Sequence, residues 1–220
     1  MPSSKPKFAV ICDIVRSKEA PDRKGLQEAL IASLDTVNRQ LKPLEELEPI
    51  AGDEVQGVFA DIASAVRATL LLRLELLKKD GIDSRYGIGF GSIAVFEDQP
   101  RTTQDGPGWW SARAAIDRVA QMSRETRTPF LRTRFELPEE KVKVSRSEAA
   151  ALNAFLVNRD AIVGQMAPRS RRLLLGLLTG KLQTELAEDE GIYQSAVSQN
   201  LAQSGAYAVA AAEQELDLGR

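Results

Sequence analysis

Histidine is absent from this sequence of 220 residues, and cysteine occurs once, as Cys12. The absence of imidazole excludes catalytic schemes that rely on a histidine base, and it removes most transition-metal sites. A single cysteine cannot form an internal disulfide, which fits a reducing compartment. Any metal ion that this protein binds is therefore expected to be a hard ion held by oxygen atoms.

Long apolar runs are also missing from the sequence. The longest lies around residues 68–77 and is interrupted by Arg73 and Glu75, whereas a membrane-spanning helix needs about 20 apolar residues. The opening stretch MPSSKPKFAV lacks the apolar segment of a signal peptide. We therefore expect a cytoplasmic protein that has no membrane partner.

A strong excess of charge of either sign is absent as well. The sequence holds 29 basic and 31 acidic residues, with a formal net charge of -2, so no overall basic field favours a nucleic-acid partner. Any such binding would be local. The hydrophobic fraction of 43% is typical of a globular protein with a real core.

The first half of the chain alternates strand and helix patterns. Residues 8–15, 47–50, 55–59 and 85–95 have the apolar, alternating or β-branched character of strands, and residues 26–41 and 62–77 repeat apolar residues at helical spacing. The order βαββαβ predicts an α+β fold of the ferredoxin-like type, with one antiparallel sheet and helices on one face. A polar loop at 99–108 and a third helix, 109–122, follow.

The second half of the chain reads as helical. Ser145 and Glu148 form a capping-box pattern that opens a helix running to about residue 163, and Pro168 opens the next helix. We place a domain boundary within 137–147, which gives an α/β domain at 1–140 and a helical domain at 141–220. The apolar residues within 123–144 do not recur at a regular spacing, so we assign no helix or strand there.

Two aspartates are candidates for chemistry. Asp13 is the one charged residue of the first strand, and Asp53 lies at the tip of the following hairpin, next to Glu54. The βαββ topology places that strand beside the hairpin, so both carboxylates can meet at one edge and bind Mg²⁺ or Mn²⁺, with Glu54 as a third ligand. The alternative is that these residues only cap turns.

Several segments resemble a known family in the order in which they occur. FAVICDIVRSK and IAGDEVQGVFAD resemble the two metal-binding segments of class III nucleotidyl cyclases, and the second is also similar to the GGDEF signature of diguanylate cyclases. RYGIGFGSI and GPGWWSARAAI resemble the strand and helix that follow in the cyclases. Over the whole chain the sequence is similar to the SatD family, in which such a domain precedes a helix-turn-helix.

The resemblance implies roles for individual residues. Asp13 and Asp53 become metal ligands and Arg113 the catalytic, phosphate-side arginine, while Trp109 stands where the cyclases carry an asparagine. Trp109 and Trp110, beside the glycine loop that contains Gly106, are expected to bind the base of a nucleotide or another phosphorylated ligand. The alternative for the tryptophans is ordinary packing against the sheet. A homodimer is also implied by the resemblance.

A second candidate site lies at about 182–204. Two short helical patterns joined at Gly191 have helix-turn-helix spacing and resemble sigma-factor-like regulators. Polar residues of the second helix are expected to contact bases, with two upstream arginines on the phosphates: Gln194, Ser195, Ser198, Gln199, Gln203, Arg171 and Arg172. The alternative is a packing or dimerisation module, because the second helix has no Lys or Arg.

Three functional hypotheses follow from these patterns. The leading one is a transcriptional regulator, in which a ligand-responsive cyclase-like domain is joined to a DNA-binding tail. A metal-dependent nucleotidyl-transfer enzyme is the second, since two carboxylates and an arginine suit phosphoryl chemistry. A protein-interaction module without catalysis is the third.

Overall fold

The computed structural model describes residues 5–78, 82–96, 103–140, 142 and 144–218. Its strands are β1 (Lys7–Ile14), β2 (Glu45–Ala51), β3 (Glu54–Phe59), β4 (Ser84–Gly91), β5 (Ala94–Phe96), β6 (Thr103–Asp105) and β7 (Thr133–Glu136). Its helices are α1 (Arg23–Leu41), α2 (Ile62–Leu77), α3 (Pro107–Met122), α4 (Arg146–Gln165), α5 (Pro168–Leu178), α6 (Gln183–Glu190), α7 (Gln194–Gln203) and α8 (Ala206–Leu218). The predicted α+β class is confirmed. Part of the polar loop predicted at 99–108, residues 99–102, lies outside the described residues.

The main sheet has the strand order β2-β3-β1-β4-β7. Strand β1 is central and antiparallel to both β3 and β4, while β7 lies parallel to β4 at the edge. The prediction of a purely antiparallel sheet was therefore wrong in this detail. The short strand β7 comes from the stretch 123–144, where four residues carry too few apolar positions to show a period.

Alternation along β1 divides its side chains between two faces of the sheet. Val10 and Cys12 join the large core with α1 and α2, whereas Ala9 and Ile11 belong to a smaller apolar cluster with Ala112 of α3. Helices therefore cover both faces of the sheet, and the prediction of helices on one face was wrong. Asp13 has the odd register of Ala9 and Ile11, so it belongs to the α3 face.

Glycines in β4 let α3 approach the sheet closely. A methyl group at Gly89 would lie 2.1 Å from the backbone nitrogen of Ala112, and one at Gly87 would lie 2.2 Å from the carbonyl oxygen of the same residue. No side chain fits at these distances, so only glycine allows this contact. The close approach fixes α3, and with it Arg113, above the strand edge.

The C-terminal helices pack onto α2 and α4 and extend the same apolar core. Leu174, Leu186, Val197 and Leu201 are buried in one cluster with the inward face of α2.

The capping box at Ser145 is confirmed, because its hydroxyl accepts from the Glu148 amide and the Glu148 carboxylate accepts from the Ser145 amide. The division into domains at 140/141 stays a prediction. None of the helices in the described ranges has the length and apolar character that crossing a membrane requires.

Candidate functional site

Asp13 and Asp53 lie close together at the end of β1. Asp13 is paired across the sheet with Glu54 of β3 and with Arg85 of β4. Asp53 precedes Glu54 in the tight turn between β2 and β3, where Gly52 adopts a φ of 65° that favours glycine. The hairpin turn therefore carries the second carboxylate to the edge where β1 ends.

The electrostatics of Asp13 show how near the two carboxyl groups are. Burial raises the pKa of Asp13, and the Arg85 guanidinium partly lowers it. The negative charge of Asp53 and a hydrogen bond between the two carboxyl groups raise the pKa of Asp13 further. A pair of carboxyl groups in such contact is stabilised by any cation that comes between them.

Two arginines are ion-paired with the acidic residues of this edge. Arg85 Nη2 donates to Asp13 Oδ2 at 2.5 Å, and Arg113 Nη2 donates to Glu54 Oε1 at 2.6 Å. The hydrogen bond to Glu54 is the main cause that raises the pKa of Arg113. Glu54 also accepts from Gln56 at 3.1 Å. The predicted third metal ligand is therefore already engaged.

The carboxyl groups of this edge suit a hard metal ion as a pair. Within the described residues, no group of three or more His, Cys, Asp or Glu side chains has the geometry of a metal site. Mg²⁺, however, is usually held by one or two carboxylates and completes its shell with water and phosphate oxygens. Asp13 and Asp53 provide that pair, so they fit Mg²⁺ or Mn²⁺, although metal binding stays a prediction.

The two tryptophans have different surroundings. Trp109 packs against the apolar cluster under α3 and donates through Nε1 to Gln104 Oε1 at 3.1 Å, as the packing alternative requires. Trp110 is 61% exposed and donates to Asp105 Oδ1 at 2.6 Å. Gly106 is the residue before α3 and has a φ of 132°. Trp110 is thus the ring that remains open to a ligand, and the roles of all three residues stay predictions.

A basic cleft adjoins Asp13. It has a volume of about 810 Å³ and runs from the end of β1 past the start of β4. Its lining includes four arginines and two acidic residues: Arg16, Arg85, Arg124, Arg132, Glu19 and Asp83. Arg16 has a left-handed backbone with φ of 58°, which is uncommon outside glycine and is often found at functional sites. The cleft is therefore suited to an anion.

The predicted DNA-binding segment forms two short helices, α6 and α7, joined through Gly191 at a φ of 62°. On α7, Gln194, Ser195, Gln199 and Gln203 are exposed, whereas Ser198 is half-buried near the Tyr207 hydroxyl, 3.5 Å away. Gln194 donates to Gln183 at 2.8 Å. The exposed face is polar but uncharged, and its role in binding DNA stays a prediction.

The cations expected on the DNA phosphates are engaged within the protein. Arg172 donates through Nε and Nη2 to the two oxygens of Glu190, both at 2.6 Å. Arg171 donates to the carbonyl oxygens of Val163 and Gly164 at 3.2 and 3.0 Å. Binding to phosphate would therefore require these contacts to be exchanged.

Sequence reasoning missed a buried ionic network beneath the cleft. Asp83 accepts from Arg73 at 2.9 Å and from Arg132 at 2.6 Å, and Arg73 also contacts Asp160 at 3.3 Å. Arg159 continues the network to Glu213 on α8 at 3.2 Å. Charges inside otherwise apolar helices, such as Arg73 in α2, were the available signal, since such residues are almost never buried unless they are paired.

Solved structures with some similarity to this chain include nucleotidyl cyclases. A bacterial light-regulated adenylyl cyclase is 14% identical, with a TM-score of 0.46 over 59% of this chain and 42% of that protein, so the chain spans less than half its length. The guanylyl cyclase domain of the RhoGC fusion protein from Blastocladiella emersonii is 17% identical, with a TM-score of 0.43 over 53% and 76% of the two chains. The adenylyl cyclase CyaB from P. aeruginosa is 17% identical, with a TM-score of 0.39 over 50% and 71%.

The protein belongs to the SatD family, because the model of that family matches residues 7–209. The match includes the carboxylate edge, the basic cleft and most of the C-terminal helices. A search of curated proteins by sequence found no match.

Proposed function

We propose that this protein binds a nucleotide or another phosphorylated small molecule, together with Mg²⁺ or Mn²⁺, at the edge formed by Asp13 and Asp53. The observation that carries the proposal is the contact between these two carboxyl groups beside Arg85 and the basic cleft. A divalent ion suits the carboxylate pair, and the arginines of the cleft suit the phosphates.

Each residue of the edge has a separate task in this proposal. Asp13 and Asp53 hold the ion, which when bound neutralises charge on the phosphate oxygens. Arg113 and Arg85 orient the phosphates by charge-assisted hydrogen bonds. Trp110 offers an exposed ring on which a base or another flat group can stack. Binding and orientation of the phosphates follow directly from this set of groups.

Nucleotidyl transfer is the enzymatic form of the same proposal. The carboxylate pair and Arg113 correspond by resemblance to the cyclase ion site and its arginine, which would stabilise developing charge. By the same resemblance Trp109 stands where the cyclases carry an asparagine, and it packs against an apolar cluster. The hydrogen bond that an asparagine makes there is therefore lost, and we propose ligand binding as the primary function.

The architecture supports the ferredoxin-like and cyclase-like description of this part of the chain. The strands β2-β3-β1-β4 are antiparallel and follow the order of a βαββαβ unit. A homodimer is proposed from the resemblance to the cyclases, and sedimentation measurements at several protein concentrations would test it.

Replacing Asp13 with asparagine is expected to abolish metal-dependent ligand binding. We expect wild-type protein to gain thermal stability in Mn²⁺ with ATP or GTP, because a ligand that binds only the folded state raises the melting temperature. The Asp13→Asn variant lacks one of two ligand charges, so this gain should disappear. Differential scanning fluorimetry across a panel of nucleotides and metal ions measures both effects.

Asp35→Asn is a matched control, because Asp35 is an exposed residue of α1 away from this edge. It should keep the full stabilisation by Mn²⁺ and nucleotide. The proposal fails if wild-type protein gains no stability in any combination, or if Asp13→Asn retains the gain. Release of pyrophosphate from ATP or GTP in the same samples would establish the enzymatic form.

A regulator with a DNA-binding tail stays a prediction, supported by the exposed polar face of α7. It predicts saturable, salt-sensitive binding to DNA that is lost when Arg171 and Arg172 are changed to glutamate. Because Arg172 pairs with Glu190, the single variant Glu190→Gln should strengthen such binding by freeing the guanidinium. Electrophoretic mobility shift at low salt tests this, and absence of binding there would end the hypothesis.

A further inference from the structure

The charges at the acidic edge are nearly balanced before any ligand binds. The carboxyl groups of Asp13, Asp53 and Glu54 carry at most three negative charges, and the guanidinium groups of Arg85 and Arg113 carry two positive ones. A surplus of one negative charge attracts a divalent cation only weakly. Since three carboxylates alone would attract it strongly, the two arginines determine how the edge responds to metal.

The ion pairs also engage two of the carboxylate oxygens of this edge. Arg85 bonds to one carboxylate oxygen of Asp13, and both side chains are mostly shielded from water, at 18% and 35% exposed. Arg113 bonds to Glu54, with 45% and 29% exposed. A free metal ion must therefore compete with these contacts.

One donor of Arg85 is not engaged by the acidic edge. Among the described residues, its Nε atom is buried and has no hydrogen-bond partner. A buried donor without an acceptor destabilises the fold, and Asp13 accepts only from the Nη2 atom of this side chain. Arg85 also lines the basic cleft, so a phosphate bound there would lie beside its guanidinium group.

We infer that Arg85 and Arg113 act as resident counter-ions that exclude a free divalent cation, so that the ion enters only together with a phosphate group that takes over the arginines. The inference rests on the proposed function and specifies how the same site is regulated. The exchange restores the charge balance, because the ion replaces the arginines at the carboxylates while the arginines neutralise the phosphate. Binding of metal and binding of phosphate are thus positively coupled, and the coupling is reciprocal.

The experiment titrates wild-type protein with Mn²⁺, detects the free ion by electron paramagnetic resonance, and repeats the titration in the presence of inorganic phosphate. We expect phosphate to tighten Mn²⁺ binding by about fivefold or more, the lower end of typical couplings between sites. In Arg85→Gln, and independently in Arg113→Gln, Mn²⁺ alone should bind at least about fivefold tighter than to wild type, and the effect of phosphate should shrink.

Arg118→Gln is the matched control, because it removes an exposed positive charge further along the same helix as Arg113. It should behave as wild type, which separates direct exchange from a general change in charge. If Arg85→Gln unfolds, Arg113→Gln still decides the matter, since Arg113 lies on the exposed face of α3.

The outcomes distinguish this inference from the proposed function. If Mn²⁺ does not bind to wild type even with phosphate, the proposed function fails. If Mn²⁺ binds equally with and without phosphate and is lost in Asp13→Asn, the site is a metal site and the coupling is overturned. The coupling is also overturned if neither arginine variant tightens binding of Mn²⁺ alone, or if Arg118→Gln tightens it equally.

Discussion

Replacing Asp160 with alanine is expected to lower the free energy of unfolding by about 3–5 kcal/mol, because it removes one partner of a buried ionic network. Asp160 is 1% exposed and accepts from the backbone nitrogens of Arg132 and Thr133 at 2.8 and 2.6 Å. It also accepts from Arg73 at 3.3 Å. The change leaves these donors without an acceptor in a dry environment. Urea denaturation followed by circular dichroism measures the loss.

Asp189→Ala is a suitable control, because Asp189 forms an ion pair with Lys181 at 2.6 Å on the surface. Exposed pairs contribute only about 0–1 kcal/mol, so this variant should stay close to wild type. A second variant, Asp160→Asn, keeps the shape of the side chain and one acceptor oxygen for the backbone nitrogens, but it should still be destabilised, since its NH₂ group cannot accept from Arg73 or the Thr133 hydroxyl. Equal stability of Asp160→Ala and Asp189→Ala would contradict a structural role for the network.

Among substitutions that add a single methyl group to the sheet, Gly89→Ala is expected to destabilise the protein most. The added carbon would lie 2.1 Å from the nitrogen of Ala112 and 2.3 Å from the carbonyl oxygen of Gly108, both backbone atoms of α3. Since backbone cannot rotate away as a side chain does, α3 must shift from β4. We expect a loss of about 3 kcal/mol in the free energy of unfolding, at the upper end of typical overpacking costs.

Gly164→Ala provides the comparison within the same chain. A methyl group there would be 3.8 Å from Arg73 and 3.9 Å from Phe130, which is ordinary contact, and alanine is the better helix former by about 1 kcal/mol. This variant should match or exceed the stability of wild type. Near-ultraviolet circular dichroism of Trp109 and Trp110 would report the shift of α3 in Gly89→Ala. An unchanged spectrum together with unchanged stability would show that α3 tolerates the methyl group.

Much of the fold could be predicted from local patterns. Helix α2 has the predicted bounds, 62–77, and α4 begins at the predicted capping box, because repeating apolar residues and caps are local signals. Strand β7 was missed because its four residues are held by long-range pairing with β4. The position of α3 on the second face was missed, because three alternating glycines in β4 indicate that another element packs closely there but not which element it is.

The candidate site, too, could be predicted from the sequence only in part. Asp13 and Asp53 could be expected to meet, because strand order follows from topology and both residues lie at strand ends. The pairing of Arg85 with Asp13 depends on the register between β1 and β4, which no local pattern specifies. The buried network depends on contacts such as Arg159 with Glu213, whose positions are 54 residues apart, so pattern alone could not find it.

The network that runs from Asp83 to α8 also has a consequence for how the chain folds during synthesis. Arg67 in α2 bonds to Asp217, 150 residues later, and Arg159 bonds to Glu213 on α8. Before α8 has been synthesised, these guanidinium groups must stay hydrated or pair with another acidic side chain. Because such distant contacts form late, we expect slow folding and a transient need for protection from aggregation at the exposed face of α2.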